Sequence, residues 1–386
     1  MKFAVLSHVL PPSPSGQSVM LYRILSCIDS DDYYLITSQP QQSTSDTFQL
    51  QSQIYTLSPE PTLRFGIQRI RNTVNLFVSI FARTRSLLEL LRREPARALI
   101  ACTGELVDIP AAFLASRLMH IPFYAYVFDD YVYQWMGNYR RFAQMIAPLI
   151  FKRAAGIITP NEFIGEEYRQ RYGIMPTLVR NPCDANELDK EPCAPWPAEI
   201  DKIKIIYTGA IYHANYDCFR NLLSAMDVLP EYSLELHIFT AQTREELLEQ
   251  NIDGEKVIIH SHVSYRETLE QQRKADILFL PLAFESPISE VIRTSAPGKL
   301  GEYLASGRPI LAHVPADSFV ADYCGKHRCA SIAYQNNPTT LAQHIKDIIT
   351  NEEFRSILIR NALSQAQIDF HPQHASEKLI QLLNAK

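Results

Sequence analysis

The chain has 386 residues, 46% of them hydrophobic and 20% charged, a length that favours two domains and a composition that excludes disordered or fibrous classes. Its formal net charge of −5 gives no global basic field, so a nucleic-acid partner is excluded. Seven scattered cysteines with no C-x-x-C pair argue against a disulfide framework or zinc site, and for a reducing cytoplasm.

Met1–His8 reads as a short strand without a signal-peptide cleavage pattern, and no apolar run reaches the roughly 18 residues of a membrane span. Strand-like runs follow near 33–37, 53–57, 97–102, 122–126, 156–159 and 177–180. Helix-period segments near 17–28, 65–93, 106–118, 139–153 and 162–172 separate them, and the polar stretch 39–50 reads as a loop. Four prolines within 181–197 mark a linker. Strands then recur near 204–208, 234–239, 256–260, 275–280, 309–313 and 329–333. Closing helices fall near 338–349, 352–366 and 375–385. Such alternation predicts parallel sheets covered on both faces. The expected architecture is two Rossmann-like α/β domains, 1–182 and 183–386, with a cleft at their strand ends and a last helix able to cross back.

Three segments carry chemistry. The helix over 63–93 has Leu63, Ile67, Ile70, Val74, Phe77, Val78 and Phe81 at helical spacing. Arg64, Arg69, Arg71, Arg83, Arg85, Arg92 and Arg93 accompany them, against Glu89 and Glu94. An apolar stripe beside cationic charge suits an anionic membrane surface; the alternative is a helix with a core face and solvated arginines. Next, Asp129 and Asp130 end an apolar strand among aromatics, where a carboxylate can bond sugar hydroxyls or accept a proton and Tyr131, Tyr133 and Trp135 can stack on a sugar face. Last comes the segment from Arg293 to Pro309. It reads as a helix with Ser295 or Ala296 at the N-cap, Pro297 in the first turn, Lys299 and Glu302 on one face, and Gly307 as its stop. A helix N-terminus with Lys299 beside it and Arg293 upstream can seat phosphate. Glu302 one turn deeper can accept from ribose hydroxyls. His8 and His213 are secondary candidates for phosphate or sugar contacts. His260 and His262 share one side of an extended segment without a third ligand, so no metal site is expected.

Several segments, in order, resemble the GT-B glycosyltransferases, in particular family 4-like enzymes. They are His8–Gly16, Arg153–Asn161, Val179–Asp184, Ile205–Gly209, Ala275–Pro281 and the Arg293–Pro309 segment. The resemblance implies the GT-B fold, with an N-terminal acceptor domain and a C-terminal donor domain. It implies that Glu302 binds the donor ribose and that Lys299 lies near the diphosphate. Gly16 and Gly209 would let backbone approach the phosphates, while Arg293, Lys299 and the helix N-terminus, with Ser295, would stabilise the leaving group. Two departures stand out. The position eight before Glu302 is Thr294 where many members carry a second Glu, and the Arg and Lys that often follow the first donor-domain strand are missing after Gly209.

The implied reaction moves a sugar from a nucleotide sugar to a hydroxyl of a glycan, a lipid-linked acceptor or a small molecule. The resemblance implies retention and no metal or cofactor. Cytoplasmic placement at the inner face of a membrane, through residues 63–93, accompanies it. The alternatives are a non-catalytic nucleotide- or glycan-binding protein of the same fold and a nucleotide-sugar epimerase.

Overall fold

The structure is a computed structural model that describes residues 2–13, 15–39, 48–61, 68–190, 202–261 and 263–385. The opening of the basic helix with Arg64, most of the polar loop at 39–50, the later linker prolines and His262 lie outside the described residues. The chain divides into two compact units: residues 1–180 with 373–386, and residues 181–372.

The first unit contains strands β1 (Phe3–Leu6), β2 (Tyr33–Thr37), β3 (Ile54–Thr56), β4 (Leu99–Cys102), β5 (Phe123–Tyr126), β6 (Gly156–Thr159) and β7 (Thr177–Leu178). Among the described residues they form one parallel sheet in the order β3-β2-β1-β4-β5-β6-β7. Helices α1 (Gly16–Leu25), α2 (Gln68–Arg93), α3 (Asp108–Met119), α4 (Gly137–Phe151) and α5 (Glu162–Tyr172) lie between these strands in the chain. Every residue of β1, β2, β4, β5 and β6 is buried. Sheets covered on both faces demand such unbroken apolar runs, which is why the strands were readable.

The second unit opens with α6 (Ala185–Leu188) and continues through β8 (Ile203–Thr208), α7 (Tyr216–Asp227), β9 (Leu234–Phe239) and α8 (Arg244–Glu249). It goes on through β10 (Val257–His260), α9 (Tyr265–Arg273), β11 (Ile277–Pro281), α10 (Ser289–Thr294) and α11 (Gly298–Ala305). It ends with β12 (Ile310–His313), α12 (Phe319–His327), β13 (Ser331–Ala333), α13 (Pro338–Thr350) and α14 (Glu352–Asp369). Its parallel sheet runs β10-β9-β8-β11-β12-β13. The last helix, α15 (Pro372–Asn384), belongs from Gln373 onward to the first unit, where Arg97 donates to Asn384 (2.7 Å). Each sheet reverses its order at a central pair, β1 with β4 and β8 with β11. Such switch points open crevices beyond the strand C-terminal ends, the usual place for a ligand in this architecture.

One feature corrects the reading of α2. Arg83 does not face outward: it is 7% exposed and bonds Glu60, Glu105 (2.5 Å) and the fully buried Asp108 (2.6 Å). No described helix is long and apolar enough to cross a membrane.

In the second unit, α11 packs so tightly that Gly301 has no room for a side chain. A Cβ there would stand 2.9 Å from the Phe370 ring and 3.2 Å from both the Asn181 carbonyl oxygen and the Cys183 amide. Two of these neighbours are backbone and cannot swing aside. Gly301→Ala is therefore expected to destabilise the protein by about 1–2 kcal/mol, the overpacking cost exceeding the helix-propensity gain of alanine. A lower urea midpoint at unchanged slope is the readout, and an unchanged or higher midpoint would refute the packing argument.

Candidate functional site

The helix carrying Lys299 and Glu302 begins later than its sequence suggested. Pro297 is the N-cap and Gly298 the first helical residue, while Ser295 closes the preceding helix α10 in an extended conformation (φ −63°, ψ 133°). The reason lies in Pro297, whose ring disfavours helical dihedrals at Ala296 and so separates the two helices. Ser295 is thus no N-cap, and no side chain caps α11. The Asn181 amide nitrogen instead donates to the Ala296 carbonyl (2.9 Å), tethering the connection between α10 and α11. Gly307 adopts φ +73° just beyond the helix, as a terminating glycine should.

Lys299 and Glu302 converge on the C-terminal end of β8. The Lys299 ammonium sits 3.8 Å from the centre of the Tyr207 ring, a cation–π contact. Gly209, with φ +118°, lies directly beneath it, and a Cβ at that residue would come within 3.1 Å of Lys299 Nζ. Burial pushes the Lys299 pKa down to about 7, opposed by the charge of Glu302. Gln272 Nε2 donates both to Glu302 Oε2 (2.8 Å) and to Thr208 Oγ1 (3.1 Å), and the Thr208 amide donates to the Tyr303 hydroxyl (3.3 Å). Glu302 is thereby tied through Gln272 to Thr208, the last residue of β8. Gln272 lies outside the segments that carried the resemblance, and the parts played by Tyr207 and Tyr303 within them arise from contacts between separated segments.

Arg293 occupies the last turn of α10 and is partly buried. Thr294, at the position of the missing Glu, is 5% exposed and turns its hydroxyl to the Glu290 carbonyl (3.2 Å). It presents no charge. His213 is exposed. His260 stacks on Phe239 (4.2 Å) and shares a hydrogen bond with His237 (3.0 Å).

In the first unit the two aspartates part company. Asp130 is 2% exposed: its Oδ1 accepts the amides of Val132 (2.8 Å) and Tyr133 (3.0 Å), and its Oδ2 pairs with Arg171. The chain turns immediately after β5, so Asp130 closes that turn and is not available to a substrate, contrary to its assignment as a catalytic candidate. Asp129 is exposed, yet the protein crowded around it and the charge of Asp130 raise its carboxyl pKa. Tyr131 is core, donating to the Leu106 carbonyl (2.8 Å), and Tyr133 lies beneath the Arg140 guanidinium (4.4 Å). Gly16 is the first residue of α1, whose N-cap Ser15 accepts from the Ser18 amide (3.3 Å), and a Cβ at Gly16 would meet nothing within 4 Å. His8 is partly buried, its Nδ1 has no partner among the described residues, and burial lowers its pKa.

Trp135 lines a cavity of about 310 Å³ with Asn72, Asn75, Ser79, Glu105 and Tyr139. Its indole Nε1 is buried without a hydrogen-bond partner among the described residues. Glu105 is anchored through Oε2 by Arg83 and by the amides of Val107 (2.7 Å) and Asp108 (2.9 Å). Aromatic walls with a few fixed polar groups are the general make-up of a small-molecule pocket.

Residues 202–351 match the family described as glycosyl transferases group 1. No curated protein matches the chain. Among solved structures, sucrose-phosphate synthase from Thermosynechococcus elongatus is similar at TM-score 0.72 and 13% identity, over 100% of this chain and 98% of its own. HepE from Anabaena in complex with UDP-glucose is similar at TM-score 0.72 and 12% identity, over 100% of both chains. MnaA from S. aureus with UDP is similar at TM-score 0.60 and 12% identity, over 98% of this chain and 95% of its own. Residues 202–351 thus belong with the glycosyl transferases group 1 domains, and the whole chain shares the GT-B fold of the similar structures.

Proposed function

We propose that this protein transfers a sugar from a nucleoside-diphosphate sugar to a hydroxyl acceptor, with retention at the anomeric carbon and without a metal. The second unit holds the donor and the first unit the acceptor. The observation that carries this reading is the convergence of Lys299, Glu302 and Gly209 at the end of β8, beside the uncapped start of α11. As the anomeric bond to the diphosphate breaks, negative charge grows on the departing phosphate. Lys299, Arg293 and the α11 amides supply the matching positive potential. Gly209 lets the diphosphate lie against backbone. Glu302, steadied by Gln272, accepts from the ribose diol. UDP and UDP-glucose in the similar structures support a uridine nucleotide as the donor base.

On the acceptor side, the Trp135 cavity suits a sugar ring, with the indole as stacking surface and Asn75 and Glu105 as hydroxyl partners. Asp129, exposed and raised in pKa, is the group placed to take the acceptor's proton. These features favour a glycan or lipid-linked acceptor and a role in polysaccharide biosynthesis. We place the protein in the cytoplasm, peripheral to the inner face of a membrane.

A thermal-shift panel of UDP-, GDP- and ADP-sugars, paired with an assay of nucleotide release, tests the donor assignment. One nucleotide should stabilise the protein, by about 2.7 kcal/mol at a hundredfold excess over its Kd. Glu302→Ala should blunt the response. Stabilisation without turnover on any acceptor would indicate a binding protein, and an unchanged response in Glu302→Ala would remove that carboxylate from the site.

A further inference from the structure

The face of the first unit built by α4 and the outer stripe of α2 is amphipathic in the wrong sense for an ordinary surface. Helix α4 already buries Phe142, Ala143, Ala147, Ile150 and Phe151 in the core. Its opposite face should then be polar, yet Met145 is 61% and Leu149 56% exposed. Exposed Arg141, Lys152 and Arg153 stand at the two ends of that apolar step. From Tyr131 to Asn161 the chain has no Asp or Glu, although the protein as a whole is acidic.

Helix α2 extends the same surface. Phe77 meets Phe142 of α4 edge-on, ring centres 5.6 Å apart, so the two helices touch at this point. Phe81, one turn along, is 64% exposed. Arg85, Arg92 and Arg93 follow in exposed positions, with Arg85 paired to Glu89. Arg83 faces the other way, into its carboxylate cluster. Apolar side chains ringed by cations, on a protein of net negative charge, fit a surface that is both apolar beneath and anionic above.

We propose that this α2–α4 face docks on an anionic lipid bilayer, with Phe81, Met145 and Leu149 entering the headgroup boundary. Arg85, Arg141, Lys152 and Arg153 meet the lipid phosphates. The inference rests on the membrane placement proposed above and moves its centre from the start of the basic helix to α4. It is independent of the sugar-transfer reading, so the two fail separately.

Co-sedimentation of the full chain with vesicles tests it. Phosphatidylcholine vesicles containing phosphatidylglycerol should pellet the protein more than about tenfold better than phosphatidylcholine alone at low ionic strength, and salt should weaken the effect. Met145→Glu with Leu149→Glu should abolish pelleting, and Arg141→Glu with Lys152→Glu should remove its dependence on lipid charge. Met175→Glu, at an equally exposed apolar residue outside both helices, should leave it intact. These positions are on the surface, and thermal melts of each variant confirm that it folds. Equal pelleting by neutral vesicles, or indifference to both double substitutions, overturns the proposal. Loss of a dimer in sedimentation velocity without any vesicle binding also overturns it, in favour of self-association.

Discussion

Lys299→Ala is expected to lower the rate of sugar transfer by roughly 100- to 1,000-fold, the usual cost of removing one preorganised charge from a leaving-group site. Nucleotide-induced stabilisation should fall with it. The pH dependence is more specific. Lys299 titrates near 7 in the free protein because burial disfavours its charge, against an ordinary value of 10.5. Diphosphate binding needs the charged form, so UDP affinity should decline as pH rises through about 7. Lys299→Arg, charged at every accessible pH, should bind with a flatter profile. Folding without nucleotide responds in the opposite direction. Between about 7 and 10.5 the unfolded chain holds a proton that the folded chain has released, so this group makes the fold more stable as pH rises. Calorimetric UDP titrations and urea midpoints across that range measure the two trends. Parallel trends, or a UDP affinity indifferent to pH, would displace Lys299 from the phosphate site.

The second large effect is structural. Arg83→Ala should destabilise the protein by about 3–5 kcal/mol, because it strands the buried Asp108 carboxylate, with Glu60 and Glu105 beside it, without their cation. Burial works against the charge of Arg83, but Asp108, Glu105 and Glu60 together outweigh it and raise its pKa. Burial likewise pushes Asp108 up to about 7; Arg83 opposes the shift, and the charges of Glu105 and Glu60 add to it. An acid raised in the folded state contributes stability that is fully present below its unfolded value of 3.8 and is lost as pH rises through about 7. Without Arg83 that loss should deepen, so the variant should recover stability on mild acidification. Arg83→Ala combined with Asp108→Asn should regain part of the difference at neutral pH. Urea unfolding at two pH values decides it: a variant as stable as the parent would mean that the cluster is solvated.

The two-unit plan was legible because parallel strands buried on both faces are written as continuous apolar runs, as in β1 and β4. The pairing of Lys299 with Glu302 was legible because helical spacing survives an error in where the helix begins. The start itself was misjudged, since Ser295 looks like a cap and only the restraint exerted by Pro297 on Ala296 decides otherwise. Asp129 and Asp130 were inseparable in sequence; the turn after β5 assigns one to solvent and the other to Arg171. Arg83 illustrates a further limit. Its neighbours Arg85 and Arg92 look identical in composition, and only Glu60, Glu105 and Asp108, from other segments, draw it inward. For α4, apolar residues on both faces hid which stripe was core.

The return of α15 to the first unit makes residues 181–372 an uninterrupted insertion within a discontinuous host. A ribosome therefore delivers every residue of the inserted unit before the closing segment of its host emerges. Vectorial synthesis, which ordinarily completes the amino-terminal domain first, is inverted by this nesting: the later-starting unit has all its parts in hand while the earlier one still waits for its final helix.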